Sequence, residues 1–183
     1  MNPIETDRLI LREFRKDDIS HLVLLNQNEK VMNFFPATLN KNESLTFLLS
    51  ILTSYQLRNF GLYACICKDT NQFMGFIGLS VPSFSSHFTP CIEIGWRLSP
   101  EFWNKGYATE GAKAILNYGF KELHLMEIVS FTSILNKPSI RVMEKIGMTT
   151  NKTDNFKHPK VDKKSKLSEH VLYRLSKKNF EQL

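Results

Sequence analysis

The sequence predicts a single α/β domain over residues 1–183, of the α+β type, with helices packed on a central sheet. Three observations support this fold class. A chain of 183 residues has the size of one domain with a substantial core. Strand-like and helix-like apolar patterns follow one another along the chain without an internal repeat or a low-complexity linker. The β-like runs 61–67 and 73–81 flank a polar turn, as in a hairpin.

Each further element is predicted from its own pattern. Asp17 or Asp18 can cap a first helix with an apolar stripe, and Asn40 or Asn42 can start a second one. Small residues and polar turns separate the later elements, and Gly147 ends the last helix. The predicted helices are the one ending near Leu25, then 43–57, 110–122 and 138–146, and the predicted strands outside the hairpin are 8–14, 91–98, Glu127–Ser133 and 170–175.

Positive charge is concentrated in the C-terminal segment. The chain has a net charge of +6, and from Asn151 onwards nine basic and four acidic residues contribute +5 of it. Such a segment is either a solvated loop or a patch that attracts an acidic partner such as RNA or a nucleotide phosphate. Because no aromatic residues interleave with the lysines, the sequence favours the solvated loop and makes a nucleic-acid partner unlikely.

The remaining composition favours a cytoplasmic protein without a metal or a membrane anchor. Cys65, Cys67 and Cys91 show no ligand spacing and are expected to be reduced thiols. The first residues are charged too early for a secretory signal, and no apolar run reaches the ~18 residues that span a bilayer. Five scattered histidines predict no metal site. A monomer or a homodimer is expected.

The segment 99–111 (SPEFWNKGYATEG) links a strand to a helix through a loop containing Gly106, Ala108 and Gly111. Small residues let the backbone approach a ligand, and the free N–H groups of a first helical turn attract a pyrophosphate. Glycines before helices are also common caps, so this observation alone leaves both interpretations open. Glu110 in the first turn disfavours an anion unless its side chain points away.

This segment resembles the coenzyme A pyrophosphate loop of the GNAT acetyltransferases, whose form is Gln/Arg-x-x-Gly-x-Gly/Ala. Gly106 and Ala108 match the pattern, whereas Trp103 replaces the usual Gln or Arg. That aromatic is typical of the branch resembling the ribosomal-protein N-terminal acetyltransferases RimJ and RimL. Three further segments are similar to the same branch: 5–12, 136–148, and the ending from 157–159 through 170–175. The resemblance therefore covers nearly the whole chain.

The resemblance implies a GNAT fold: a mixed, mostly antiparallel sheet of about seven strands with helices on both faces. The fourth and fifth strands of the family, here 91–98 and Glu127–Ser133, splay apart to admit the pantetheine arm of acetyl-CoA. An open strand edge offers N–H and C=O groups to such an arm. The expected cofactor-binding residues are Trp96, Leu98, Asn104, Lys105, Gly106, Tyr107, Ala108, Thr109, Asn136 and Ser139.

Acetyl transfer by direct attack through a tetrahedral intermediate requires a neutral amine, an oxyanion site and a proton for the thiolate. Glu93 is the candidate base, since burial in an apolar strand would raise its pKa and the family has an acid at this point. The alternative is a structural carboxylate paired with Arg12 or Arg97. Backbone N–H groups near Trp96–Leu98 are the expected oxyanion site.

The candidate for protonating the thiolate is Ser139. Many GNAT members use a tyrosine in the helix after the fifth strand, but the equivalent residue here is Met143. Ser139 lies one turn earlier on a similar face, and the resemblance to RimL implies a role for its hydroxyl. The alternative is an early-helix serine that bonds the backbone. Asn136 is expected to cap this helix and to bind the cofactor.

The acceptor is expected to be an amine, either a protein N-terminus such as that of a ribosomal protein or a small molecule. An α-amine titrates near 7.7–8.0 and lysine near 10.4, so roughly a tenth of an α-amine is already neutral at pH 7. This difference favours N-terminal acetylation over lysine acetylation. An acyl-CoA-binding module without activity is the third possibility. The residues expected to rim the acceptor cleft are Phe34, Phe35, Phe84, Phe88, His158 and His170.

Overall fold

A computed structural model describes residues 3–183. The helices are α1 (Ile19–Gln27), α2 (Lys41–Arg58), α3 (Tyr107–Asn117), α4 (Lys137–Lys145) and α5 (Lys177–Phe180). The strands are β1 (Ile4–Glu5), β2 (Leu9–Arg12), β3 (Leu62–Cys67), β4 (Phe73–Ser80), β5 (Glu93–Leu98), β6 (Glu127–Ser133), β7 (Thr149–Thr150), β8 (Phe156–Lys157) and β9 (Glu169–Ser176). The longer elements match the sequence predictions within a few residues.

The strands form one mixed sheet in the order β1-β2-β3-β4-β5-β6-β9-β7, with β8 paired to β9. Every pairing is antiparallel except β5 with β6. The sheet therefore has nine strands in the described residues where about seven were predicted. The difference comes from β1, β7 and β8, which have two residues each and are too short to show a period in the sequence.

Helices cover both faces of the sheet, as predicted. On one face, Phe47 of α2 lies 5.7 Å from Phe76 of β4, measured between ring centroids. On the other face, α3 packs so closely that a Cβ at Gly111 would lie 2.4 Å from Ile77 Cδ1. Phe76 and Ile77 are adjacent on β4 and so point to opposite faces. We call these two faces the α2 face and the α3 face.

Helix starts show which polar residue is the cap. Asn40 starts α2 with a capping box, in which Asn40 Oδ1 accepts from Glu43 N at 3.0 Å and Asn40 N donates to Glu43 Oε2 at 2.7 Å. Of the two predicted caps of the first helix, Asp17 or Asp18, Asp18 occupies the N-cap position of α1, but its side chain makes no cap hydrogen bond to the helix. Its carboxylate instead accepts two hydrogen bonds of 2.7 Å from Arg12 and one from Arg15 N.

The strands β5 and β6 separate after a short parallel contact. Only Glu93 and Val129 pair in register, and the bonds that join the strands are Val129 N to Ile92 O at 2.9 Å and Ser130 Oγ to Ile94 O at 2.9 Å. Each strand stays paired along its other edge, β5 to β4 and β6 to β9. The predicted splay is therefore present, and it opens beyond Ile94.

Candidate active site

Glu93 lies where β5 and β6 begin to separate. Its register partners, Ser80 on β4 and Val129 on β6, place its side chain on the α2 face. Ser80 Oγ donates to Glu93 Oε2 at 3.4 Å, and burial raises the pKa of the Glu93 carboxyl to about 8. The residue as a whole is intermediate in exposure, and a carboxyl with this pKa can act as a general base near neutral pH.

The two arginines considered as partners of Glu93 bind elsewhere. Arg12 forms its ion pair with Asp18, at 2.7 Å. Arg97 Nη1 donates to Asn26 Oδ1 at 2.5 Å. Within the described residues Glu93 forms no ion pair, so the interpretation of a structural carboxylate held by Arg12 or Arg97 is wrong.

The backbone of β5 beyond Ile94 offers hydrogen-bonding groups to the gap. The carbonyls of Ile92 and Ile94 point towards β6, and alternate residues of a strand point the same way. The backbone groups of Trp96 and the N–H of Leu98 therefore point towards the gap, and their contact with the pantetheine arm stays a prediction. Leu98 O accepts a hydrogen bond from Trp103 Nε1 at 2.7 Å, which fixes the loop after β5.

Gly106 is the N-cap of α3 and adopts the left-handed conformation, at φ 83°. A Cβ there would meet Arg8 Nη2 at 3.4 Å and no other atom within 4 Å. Asn104 is also left-handed, at φ 58°, and Asn104, Lys105 and Gly106 are exposed. The glycine thus leaves open space in front of α3.

The first turn of α3 suits an anion. Its first internal hydrogen bond runs from Glu110 N to Gly106 O at 3.0 Å, so the N–H groups of the residues before Glu110 are available to a ligand. The helix starts three residues earlier than predicted, which brings Tyr107, Ala108 and Thr109 into this first turn. The residues present fit the pyrophosphate of coenzyme A.

The sequence alone did not reveal the role of Arg8. Its Nε donates to Glu110 Oε2 at 2.7 Å and its Nη1 to Lys105 O at 3.0 Å, while its guanidinium stacks on Tyr107 at 4.3 Å. Thr6 Oγ1 also donates to Glu110, at 2.6 Å. The negative charge of Glu110 is therefore balanced by Arg8, which weakens the objection to a bound anion. These hydrogen bonds hold the pKa of Glu110 below its ordinary value despite partial burial.

The start of α4 presents Asn136 and Ser139. Asn136 Oδ1 accepts from Ser139 N at 3.3 Å, so the predicted cap is confirmed. Its Nδ2 donates to Thr132 Oγ1 at 3.0 Å. The Ser139 hydroxyl is partly exposed and has no hydrogen bond within residues 3–183. Met143 is 1% exposed and belongs to the core. Contacts of Asn136 and Ser139 with the cofactor stay predictions.

Four of the predicted cleft residues form one aromatic cluster on the α2 face beside Glu93. Phe84 lies 6.2 Å from Phe88 and 4.7 Å from His158, and His158 lies 4.8 Å from His170. Phe88 and His170 are each 8% exposed and mainly pack the cluster, whereas Phe84 and His158 are partly accessible. Burial lowers the pKa of His158 to about 4 and also lowers that of His170, so both are neutral at pH 7.

The other two predicted residues lie in the α1–α2 connection. Phe35 is 38% exposed and stacks on the Arg97 guanidinium at 4.3 Å, and Phe34 is half-buried. The basic segment lies near the aromatic cluster, where Lys160 Nζ donates to Ser83 Oγ at 2.7 Å. Across residues 3–183, no group of three or more potential ligands could hold a metal ion. No helix in the same range is long and apolar enough to cross a membrane.

Comparison with known proteins identifies the family. The acetyltransferase (GNAT) domain model matches residues 8–149. The uncharacterized N-acetyltransferase YnaD of Bacillus subtilis is 35% identical over 145 residues, which are 79% of this chain and 81% of YnaD. The FsC-acetyl coenzyme A-N(2)-transacetylase of Aspergillus fumigatus is 31% identical over 155 residues, 80% of this chain and 64% of that protein.

Solved structures share the fold. The ribosomal L7/L12 alpha-N-protein acetyltransferase RimL in complex with coenzyme A superposes with a TM-score of 0.77, over 96% of this chain and 98% of that one, at 15% identity. RimL represents the branch that the sequence resembles, and at this identity the likeness concerns the fold. Together with the family match and the open β5–β6 gap, it leads to one conclusion: the chain belongs to the GNAT family and is an acetyl-CoA-dependent N-acetyltransferase.

Proposed function

We propose that the protein acetylates an α-amine, and specifically the N-terminus of a protein. The observation that carries this proposal is Glu93, a carboxyl without an ion-pair partner whose pKa is about 8. Proton transfer from an ammonium to this carboxylate is nearly neutral in free energy only when the two pKa values are similar. The α-amine, at 7.7–8.0, meets this condition, whereas lysine, at 10.4, is more than two units away.

In the proposed reaction each side chain acts from its own face of the sheet. Glu93, directly or through a water, takes the proton of the amine on the α2 face, and the amine attacks the acetyl carbon in the gap. Backbone groups of Trp96 and Leu98 hold the pantetheine arm and the oxyanion. Ser139, at the start of α4, protonates the departing thiolate. The first turn of α3, from Tyr107 to Thr109, binds the pyrophosphate.

A second candidate acceptor is a small-molecule amine. The fungal relative is named an N(2)-transacetylase of FsC, and the site described above is compatible with a compact amine as well as with a peptide. The aromatic cluster and Phe35 would border either kind of acceptor.

An acceptor screen tests the proposal. Thiol release from acetyl-CoA is measured with peptides that have a free N-terminus, with N-terminally blocked peptides that contain lysine, and with small amines including polyamines. We expect kcat/KM for free N-termini to exceed that for blocked lysine peptides by at least about 100-fold. Faster turnover of a small amine would favour the second candidate. Coenzyme A binding without thiol release for any acceptor would indicate a non-catalytic module.

A further inference from the structure

Glu93, Gly95 and Arg97 alternate along β5 and share its α2 face, opposite Ser80, Gly78 and Phe76 of β4. A Cβ at Gly95 would meet no atom within 4 Å. The strand therefore has an open space between the side chains of Glu93 and Arg97. Glu93 and Arg97 are four positions apart on the strand, so their Cα atoms are about 13 Å from each other.

Arg97 is a cation without an acidic partner in the described part of the chain. Its guanidinium lies over three rings, at 4.3 Å from Phe35, 5.1 Å from Phe76 and 5.8 Å from Phe47. Asn26 accepts one hydrogen bond from it, and its Nε is buried without a hydrogen-bond partner. Burial lowers the pKa of Arg97 to about 10, and no acidic side chain opposes this shift.

A charge that is removed from water without a counter-charge is costly, because the attraction to aromatic rings and one amide replaces only part of its hydration. The guanidinium carries five N–H donors, of which only Nη1 has a described acceptor. Phe35 covers one side of it and is itself 38% exposed, at the border of the cleft. The guanidinium of Arg97 thus has N–H donors without a described acceptor, and a partly exposed ring lies over it.

We propose that Arg97 binds a carboxylate of the acceptor whose amine lies at Glu93, so that the substrate is an amine with a carboxylate several bonds away. In a protein N-terminus this carboxylate is an Asp or Glu within the first four residues, because an extended peptide advances about 3.4 Å per residue. The proposal rests on the proposed function for the position of the amine at Glu93. It adds the second recognition point.

Two pairs of matched acceptors test the proposal. Triglycine spans at most about 10 Å and is compared with triglycinamide, which has the same α-amine without the carboxylate. The peptide Ser-Gly-Glu-Gly-amide is compared with Ser-Gly-Gln-Gly-amide. We expect the carboxylate member of each pair to have a kcat/KM roughly ten- to 100-fold higher, mainly through a lower KM. Equal values within each pair would overturn the proposal and leave the acetylation of α-amines intact.

The variant Arg97→Met replaces the buried cation with an apolar side chain, and Arg58→Met, on the exposed end of α2, is the matched control. In Arg97→Met the ratio of kcat/KM for the carboxylate member to kcat/KM for its amide partner should fall to within about twofold of one. In Arg58→Met this ratio should stay at the wild-type value. A preference that survives in Arg97→Met would overturn the proposal. Thermal unfolding and calorimetry with coenzyme A establish that Arg97→Met is folded.

Binding provides a readout that does not depend on turnover. Calorimetry on the coenzyme A complex should show tighter binding of triglycine than of triglycinamide even if neither peptide is acetylated. In that case the proposed function fails while the carboxylate site stands. Equal affinities would overturn the carboxylate site.

Discussion

Two charged side chains on one face of β5, Glu93 and Arg97, each lack an oppositely charged partner within residues 3–183. Both residues are intermediate in overall exposure, and burial of their ionisable groups displaces both pKa values towards the neutral form. Such groups are unfavourable for stability and are typical of functional sites. Because the open position of Gly95 separates them, we propose this strand as the centre of the acceptor site.

The pH dependence of Glu93→Gln follows from the pKa of about 8. Below pH 8 the wild-type rate follows the fraction of ionised Glu93, which rises tenfold per pH unit. The rate of the variant follows the fraction of free amine, which also rises tenfold per pH unit. The deficit should therefore be constant there, at about 100-fold. Above pH 8 it should shrink, because the ammonium that Glu93 deprotonates becomes scarce while the neutral amine used by the variant is abundant. The measurement is kcat/KM for a free N-terminal peptide from pH 6 to 9.5, and a deficit that stays constant above pH 8 would contradict the role of a base.

Ser139→Ala is the contrasting variant. Its hydroxyl is proposed to protonate the thiolate rather than the amine, so its deficit should not depend on the ionisation of the acceptor. We expect its pH–rate curve to lie about ten- to 100-fold below that of the wild type and to stay parallel to it, including above the ordinary thiol pKa of about 8.5. A curve that converges with the wild type above pH 8, as expected for Glu93→Gln, would contradict this division of roles.

Among the elements, the β5–α3 connection is a short loop that we propose as the phosphate site. Trp103 bonds Leu98 O, Arg8 bonds Lys105 O, and Gly106 takes the left-handed conformation. The two hydrogen bonds and the conformation of Gly106 together fix the loop. The first turn of α3 can therefore present its N–H groups to a phosphate without rearrangement.

Gly106→Val should weaken the binding of coenzyme A at least tenfold, because a side chain would occupy the open space in front of α3 and disfavour the backbone at φ 83°. Left-handed backbone costs roughly 1–2 kcal/mol for a residue other than glycine. Gly147→Val is the matched control, since Gly147 has the same φ at the end of α4. Both variants should lose stability, and calorimetry should detect the loss of affinity only for Gly106→Val. Unchanged affinity in Gly106→Val would contradict the assignment of the phosphate site.

In the whole molecule, the two faces of the sheet have separate tasks. The α3 face carries the helices α3 and α4, whose first turns are proposed to hold the cofactor. The α2 face carries Glu93, Arg97 and the aromatic cluster, which are proposed to receive the acceptor. The gap between β5 and β6 joins the two. The basic segment lies on the acceptor side, where Lys160 contacts Ser83.

Replacement of the four lysines 160, 163, 164 and 166 with glutamine should leave the affinity for coenzyme A within about threefold of the wild type. The reason is that the proposed phosphate site consists of backbone N–H groups and lies beside Arg8, whereas Lys160 contacts the loop before β5. Calorimetry measures this affinity. A much larger loss would show that the segment reaches the cofactor. Tight RNA binding by the wild type that weakens with salt and with the four replacements would support a nucleic-acid partner.

Local patterns in the sequence determined most elements of the fold. The hairpin of β3 and β4, the strand β6, the Asn40 cap and the small residues before α3 are visible without any tertiary information, because they depend on neighbours within a few positions. The candidate base Glu93 and the cap Asn136 were found for the same reason, helped by the resemblance to a family. The two-residue strands were missed, since they exist only through their pairing partners.

Tertiary structure alone decided which charges meet. Glu110 is neutralised by Arg8, 102 residues away in the chain, and this contact makes the start of α3 suitable for an anion. Arg97 faces three aromatic rings instead of Glu93, because side chains four apart on a strand share a face but lie about 13 Å from each other. Periodicity assigns a residue to a face of its own element. The partner on that face depends on how distant segments pack, and the pairing of charges at this site follows from that packing.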